Sequence, residues 1–253
     1  DTLDAGSYDN CAITQIWTND STFNCADTSS LNDVMFYAID ASGNVDSALA
    51  QVEVLDTLAP FMASVANYTV YLDSFGAVSI NTGMIDSATS DNCAVDTLWL
   101  DQYNFNCADT SAANTITLYA RDISGNVDST TSHVFVIDTI APELITNNIT
   151  IYLDSLGMAN ILPDTVDAGT YDNCAVAMTW LSDSSFTCAD TGTNVLIFSA
   201  MDVSGNVNMT TVQVTVVDSQ PPVLVTQNMT IYLDSFGFAS ILPDTFDAGS
   251  SDN

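Results

Sequence analysis

The sequence predicts an all-β chain made of tandem β-sandwich repeats of about 81 residues. Three observations predict it. Several motifs recur in fixed order with a period of 80 to 82 residues. Within each period, short apolar runs alternate with turn signals every eight to twelve residues. No apolar periodicity of helical type extends over ten residues or more.

The period is carried by five motifs. Asp-Asn-Cys stands at Asp9-Asn10-Cys11, Asp91-Asn92-Cys93 and Asp172-Asn173-Cys174. A second cysteine follows fourteen positions later each time, at Cys25, Cys107 and Cys188. The turn D-x-S-G-N opens at Asp40, Asp122 and Asp202 and closes at Asn44, Asn126 and Asn206. Y-L-D-S-x-G begins at Tyr71, Tyr152 and Tyr232, and D-x-x-x-P begins at Asp56, Asp138 and Asp218. Repeats of this length signal stacked supersecondary units. Residues 1–10 and 244–253 agree at eight of ten positions, so the window is expected to open and close inside a repeat.

Each unit reads as strands. Ile149 to Asp154 is a short apolar run ended by Ser155-Leu156-Gly157. Val195 to Met201 is a second strand, Asp202 to Asn206 a turn, and Thr211 to Val217 an alternating closing strand. Gly205 supplies a turn position with positive φ. Proline interrupts a strand ladder, which places the borders at the D-x-x-x-P runs. The expected domains are 1–56, the later part of a repeat; 57–138 and 139–218, complete repeats; and 219–253, the opening of the next. Trp17, Trp99 and Trp180 share one phase and read as core anchors.

Composition sets the medium. The chain has 32 acidic residues against one basic side chain, Arg121, and one histidine, His133, for a formal charge of −31. A compact state of that charge repels itself unless cations from the solution compensate. Nucleic acid and anionic membrane surfaces, which recruit basic patches, are excluded as partners. No apolar run is long enough to span a bilayer as a helix. A lone histidine outside the repeated design supports no nucleophilic triad, so the chain is not expected to be an enzyme.

Six cysteines in three evenly spaced pairs point to three disulfides, and of the fifteen possible pairings the period favours Cys11–Cys25, Cys93–Cys107 and Cys174–Cys188, so that each repeat staples itself. A loop of that length is worth ~3 kcal/mol. Disulfides place the chain in an oxidising, extracellular setting, at the cell surface. The repeated carboxylates are candidate ligands for Ca²⁺, a hard cation that takes oxygen donors. The candidate set is Asp9, Asn10, Asp40, Asn44, Asp56, Asp91, Asn92, Asp122, Asn126, Asp138, Asp172, Asn173, Asp202, Asn206 and Asp218. Asp122, Asn126 and Asp138 are expected to meet at one pole, with Asp172 and Asn173 of the next repeat beside them. The alternative for the same residues is turn chemistry alone, since Asp and Asn cap turns through their side chains. Asn67, Asn148 and Asn228 begin N-x-T sequons at one phase, and Asn208 begins another. They read either as glycosylation acceptors or as ordinary residues at the start of a strand.

These motifs together, the D-x-x-x-P linkers, the N-x-T-x-Y-L-D strand, the DNC…C pair and the D-x-S-G-N turn, resemble hyalin-type (HYR) and related bacterial immunoglobulin-like repeats over the whole chain. The resemblance implies an immunoglobulin-like sandwich and a role in adhesion or spacing. It also implies giant surface proteins of Bacteroidota exported by the type IX system. Two functions follow as expectations. One is the shaft of an extracellular filament or adhesin, homo-oligomeric, its partners copies of itself and a surface target. The other is a single-chain, calcium-stiffened stalk presenting a distal tip.

Overall fold

The computed structural model describes residues 3–252, so the outermost expected borders, at residues 1 and 253, lie outside the described residues. The protein is all-β, a tandem series of immunoglobulin-like sandwich repeats. It falls into two compact units, one of residues 1–70 with 78–136, the other of residues 71–77 with 137–253. Helical structure among the described residues is limited to single turns.

The second unit shows a whole sandwich. Strands β10 (Ile149–Tyr152), β15 (Val207–Val217), β14 (Gly192–Asp202) and β12 (Val176–Leu181) form a sheet in that spatial order. The strand β10 pairs parallel with β15, Ile149 opposite Val214 and Ile151 opposite Val216. The other pairs are antiparallel. A two-stranded sheet, β11 (Met158–Asn160) with β13 (Ser185–Thr187), supplies the facing layer. Alternation on β14 and β15 aims Leu196, Phe198, Val212, Val214 and Val216 inward, against Phe186 of β13 and Val166 of the preceding loop. Phe198, Val166 and Val214 are fully buried.

In the first unit, β1 (Ile13–Thr18), β2 (Asn32–Asp40) and β3 (Val45–Val52) make a three-stranded sheet. The strands β4 (Asn67–Tyr71), β9 (Val127–Ile137), β8 (Asn114–Asp122) and β6 (Val95–Leu100) make a four-stranded sheet in that order. Short strands β5 (Ala77–Ser79) and β7 (Asn104–Asn106) complete the set. The strands β1, β6 and β12 each carry a bulge one residue after their start, where the chain leaves the Asp-Asn-Cys segment.

The tryptophans are not core anchors. Trp17 is 38% exposed, and it stacks on its cross-strand partner Tyr37 at 5.2 Å and 8°. Trp99 stacks on Tyr119 in the same way. The period of two explains this. Leu100, the neighbour of Trp99, takes the inward place, so the tryptophan faces outward.

Candidate metal centre

The chain enters each repeat through a D-x-x-x-P segment, and the site is built there. In the first unit, one carboxylate oxygen each from Asp56, Asp91 and Asp122 lies within 4.8 Å of the other two. Asp122 ends β8 and is almost wholly buried. Its Oδ1 accepts the backbone N–H of Asn126 at 2.8 Å and its Oδ2 accepts the Asn126 amide at 2.7 Å. That amide also donates to the backbone oxygens of Asp56 and Leu58, which fixes the linker against the turn. Asp56 Oδ1 accepts from the backbone of Leu58 and from the Asn92 amide. Asp91 Oδ2 accepts from the backbone of Cys93 and Ala94.

Two oxygens remain. Asp56 Oδ2 and Asp91 Oδ1 are buried and have no hydrogen-bond partner. A buried carboxylate oxygen without a donor is costly. Here it is paired with like charges a few ångströms away. Burial pushes the Asp122 carboxyl up, but the Asn126 side chain and the backbone N–H groups of the turn outweigh it and hold it below the ordinary carboxylate range. Asp122 is therefore ionised at neutral pH. Asn44 does the same for Asp40.

The second unit repeats the design. Asp138, 5% exposed, accepts from the backbone of Ile140, the Asn173 amide and Ser204 Oγ. The Asn206 amide donates to the backbone oxygen of Asp138 and to Asp202 Oδ2. Asp138 and Asp172 cluster with Cys174 within 4.8 Å, and Asp172 Oδ1 is again buried without a partner. Cys174 is disulfide-bonded. Its sulfur is no thiolate and is unsuited to a hard cation, so the donor set here is oxygen.

The residues fit Ca²⁺ or Mg²⁺: clustered hard oxygens, two orphaned lone pairs and net negative charge. Ca²⁺ takes six to eight oxygens, so water would fill the remainder. The two clusters would hold the ion through Asp56, Asp91 and Asp122, and through Asp138 and Asp172.

The expected partners of each turn need correction. Asp122 and Asn126 meet Asp56, the linker residue before their own repeat. Asp138 instead serves the turn of Asp202 and Asn206. Strand length is the reason. The eleven residues of β9, at ~3.3 Å each, carry the chain about 36 Å from the turn at Asn126 before Asp138 is reached. Asp9 and Asp40 make the same local turns, to Cys11 and to Asn44, with Asn10 exposed beside them. Among the described residues no third carboxylate joins them. Asp218 is exposed and caps Gln220. The contribution of Ser204 went unread, although serine recurs in every D-x-S-G-N turn.

The disulfide pairing is also corrected. Cys25 is bonded to Cys93, 68 residues away, with Cα atoms 5.3 Å apart, so the bond joins one sequence repeat to the next. Cys107 and Cys174 are disulfide-bonded too. The Cys25–Cys93 bond excludes both Cys11–Cys25 and Cys93–Cys107, and Cys174 is not bonded to Cys188; between Cys11 and Cys25 the chain runs out along β1. Six residues of strand span about 20 Å, and a disulfide needs Cα atoms within about 7 Å. Cys11 and Cys188 are exposed. The cystine and the carboxylates share a place, since Asp91 caps the backbone N–H of Cys93.

Asn67, Asn148 and Asn228 are exposed, and Asn148 Oδ1 accepts the backbone N–H of Gln213. Arg121 pairs with Asp96 at 2.7 Å with both side chains exposed, a contact of small energetic weight.

No family model matches the chain. An uncharacterized 81.3 kDa protein of Acholeplasma phage L2 is 26% identical over 232 residues, 87% of this chain and 30% of that protein. The chain thus spans under a third of that relative's length. Among solved structures, extracellular cadherin domains 1–4 of protocadherin gamma B7 align over 79% of this chain and 61% of theirs, at 13% identity and a TM-score of 0.34. The titin I-band fragment I67–I69 aligns over 75% of each chain, at 9% identity and a TM-score of 0.39.

Proposed function

We propose that the chain is a structural segment of an extracellular filament or adhesin shaft, and that each repeat is fastened to the one before it by a cystine and a divalent cation, Ca²⁺ in a marine or extracellular medium. The observation that carries this reading is the coincidence of three features at one linker: the Cys25–Cys93 bond, the Asp56–Asp91–Asp122 cluster and its two buried, partnerless oxygens. A linker held covalently and electrostatically transmits force and resists bending. A catalytic protein gains nothing from copying such a joint at every period.

The net charge supports the same medium. With 32 acidic residues and one arginine, no internal base neutralises the clusters, and cations from outside must. Disulfides support an oxidising compartment. Among the described residues no helix is long and apolar enough to cross a membrane. The likeness to HYR repeats supports adhesion, cell-surface attachment and export by a type IX route, with Asn67, Asn148 and Asn228 placed where glycans would be tolerated.

Thermal melting with Ca²⁺ and with chelator, at matched ionic strength, tests the proposal. Stabilisation by Ca²⁺ is expected. A melting temperature indifferent to Ca²⁺ would leave the clusters as turn chemistry alone.

A further inference from the structure

The Asp-Asn-Cys segment ties the cystine and the carboxylates together. Asp91 supplies one oxygen of the cluster, and its Oδ2 accepts the backbone N–H of Cys93 at 2.8 Å. The Asn92 amide donates to Asp56 Oδ1 at 3.2 Å and lies 3.5 Å from Cys93 Sγ. Across the bond, Cys25 Sγ lies 3.6 Å from the backbone oxygen of Asn92. Cys25 is itself held in place. It opens a single helical turn, Cys25–Asp27, whose start is capped by the side chains of Asn24 and Asp27.

The second unit has the same arrangement. Asp172 Oδ2 accepts the backbone N–H of Cys174 at 2.8 Å, and the Asn173 amide donates to Asp138 Oδ1 at 3.1 Å. Cys174 is again disulfide-bonded. In both units the aspartate offers an oxygen, the asparagine reaches the linker aspartate, and the cysteine is the covalent anchor.

We infer that the Cys25–Cys93 bond and cation binding at Asp56, Asp91 and Asp122 are linked, so that each strengthens the other. The inference rests on the cation reading above. The bond pins Cys93, and through it Asp91 and Asn92, beside Asp56. It thereby holds together three carboxylate oxygens that lie within 4.8 Å and repel one another. With no cation, opening the bond lets Asp91 move away and relieves that repulsion. With a cation, opening the bond separates ligands that attract a common charge. Linkage is reciprocal. Whatever factor reduction takes from the Ca²⁺ affinity, Ca²⁺ takes from the equilibrium constant for reduction. The reductant is a dithiol: it delivers two electrons and two protons, the S–S bond opens to two thiols, and the dithiol closes its own disulfide. The joint therefore locks in surroundings that are both oxidising and supplied with Ca²⁺, and stays open in a reducing cytoplasm.

The 253-residue chain, equilibrated with mixtures of reduced and oxidised dithiothreitol in Ca²⁺ or in chelator at matched ionic strength, tests the linkage. Thiols are trapped by alkylation, and the peptides holding Cys25 and Cys93 are quantified by mass spectrometry. Ca²⁺ should lower the equilibrium constant for reduction by roughly 5–100-fold, in the range usual for coupled sites. Asp56→Asn should remove this shift, whereas Asp138→Asn, in the other unit, should keep it. Calorimetric titration supplies the reciprocal arm. In an Asp138→Asn background, adding Cys25→Ala with Cys93→Ala should weaken Ca²⁺ binding by a similar factor. The redox arm needs no cysteine substitution, so it decides the matter even if that variant fails to fold. An oxidised parent that binds no Ca²⁺ overturns the cation reading and the linkage together. Ca²⁺ binding that leaves the reduction equilibrium unmoved, or moves it equally in Asp56→Asn, overturns the linkage alone.

Discussion

Replacing Asp56 by Asn removes one of the three carboxylates at the linker while keeping an oxygen to cap Leu58. The three carboxylate oxygens lie within 4.8 Å of one another. At that separation and an effective dielectric of about 20, each like-charge pair costs about 3–4 kcal/mol before screening by salt. Asp56→Asn abolishes two of the three pairs. In chelator the variant should therefore melt at or slightly above the parent. With Ca²⁺ the order should reverse. For a dissociation constant typical of extracellular modules, ~10⁻⁴–10⁻³ M, about 10 mM Ca²⁺ stabilises the parent by roughly 1.4–2.7 kcal/mol through mass action. That corresponds to a shift of about 5–15 °C for a unit of this size. Differential scanning calorimetry in Ca²⁺ and in chelator reads both arms. A parent and a variant that respond alike to Ca²⁺ would refute the reasoning, as would a variant that loses stability equally in chelator.

Three further outcomes are expected. Peptide mapping without reductant should find Cys25 joined to Cys93, and replacing both Cys25 and Cys93 by Ala should cost ~4 kcal/mol for a loop of this length, read by denaturant unfolding; a Cys11–Cys25 peptide would contradict the fold. Asp122 has a depressed carboxyl pKa in the folded chain, so its stabilisation is complete above the unfolded value of about 3.9 and is lost as pH falls through the folded value. Unfolding free energy should drop below about pH 4, less steeply in Asp122→Asn, and equal slopes would exclude Asp122 as a contributor. Phe198→Ala, at a fully buried position, should cost about 3–5 kcal/mol, whereas Tyr152→Ala on the outer face should cost under about 0.5 by the same chemical-denaturation assay.

Much of the fold was legible because it is written three times. The apolar alternation of Thr211 to Val217 announces β15, and Gly205 takes the positive φ, +91°, that its turn demands. The turn–linker site was legible as a set of residues but not as a grouping. Asp122 and Asp138 stand sixteen positions apart and look like neighbours, yet a strand that crosses the whole sandwich separates them. The same blindness to strand length made Cys11 and Cys25 look like partners. Spacing along the chain says little about distance when the chain between is extended. The tryptophans misled for another reason: size and hydrophobicity argued for the core, while their phase relative to Leu100 argued for the outer face. Phase decides on a strand.

Isothermal titration of the purified chain with Ca²⁺ bears most directly on the claim that a cation fastens the linkers. Saturable binding is expected, with one equivalent lost in Asp56→Asn and another in Asp138→Asn. Titrations without heat, or a stoichiometry that neither substitution changes, would contradict it.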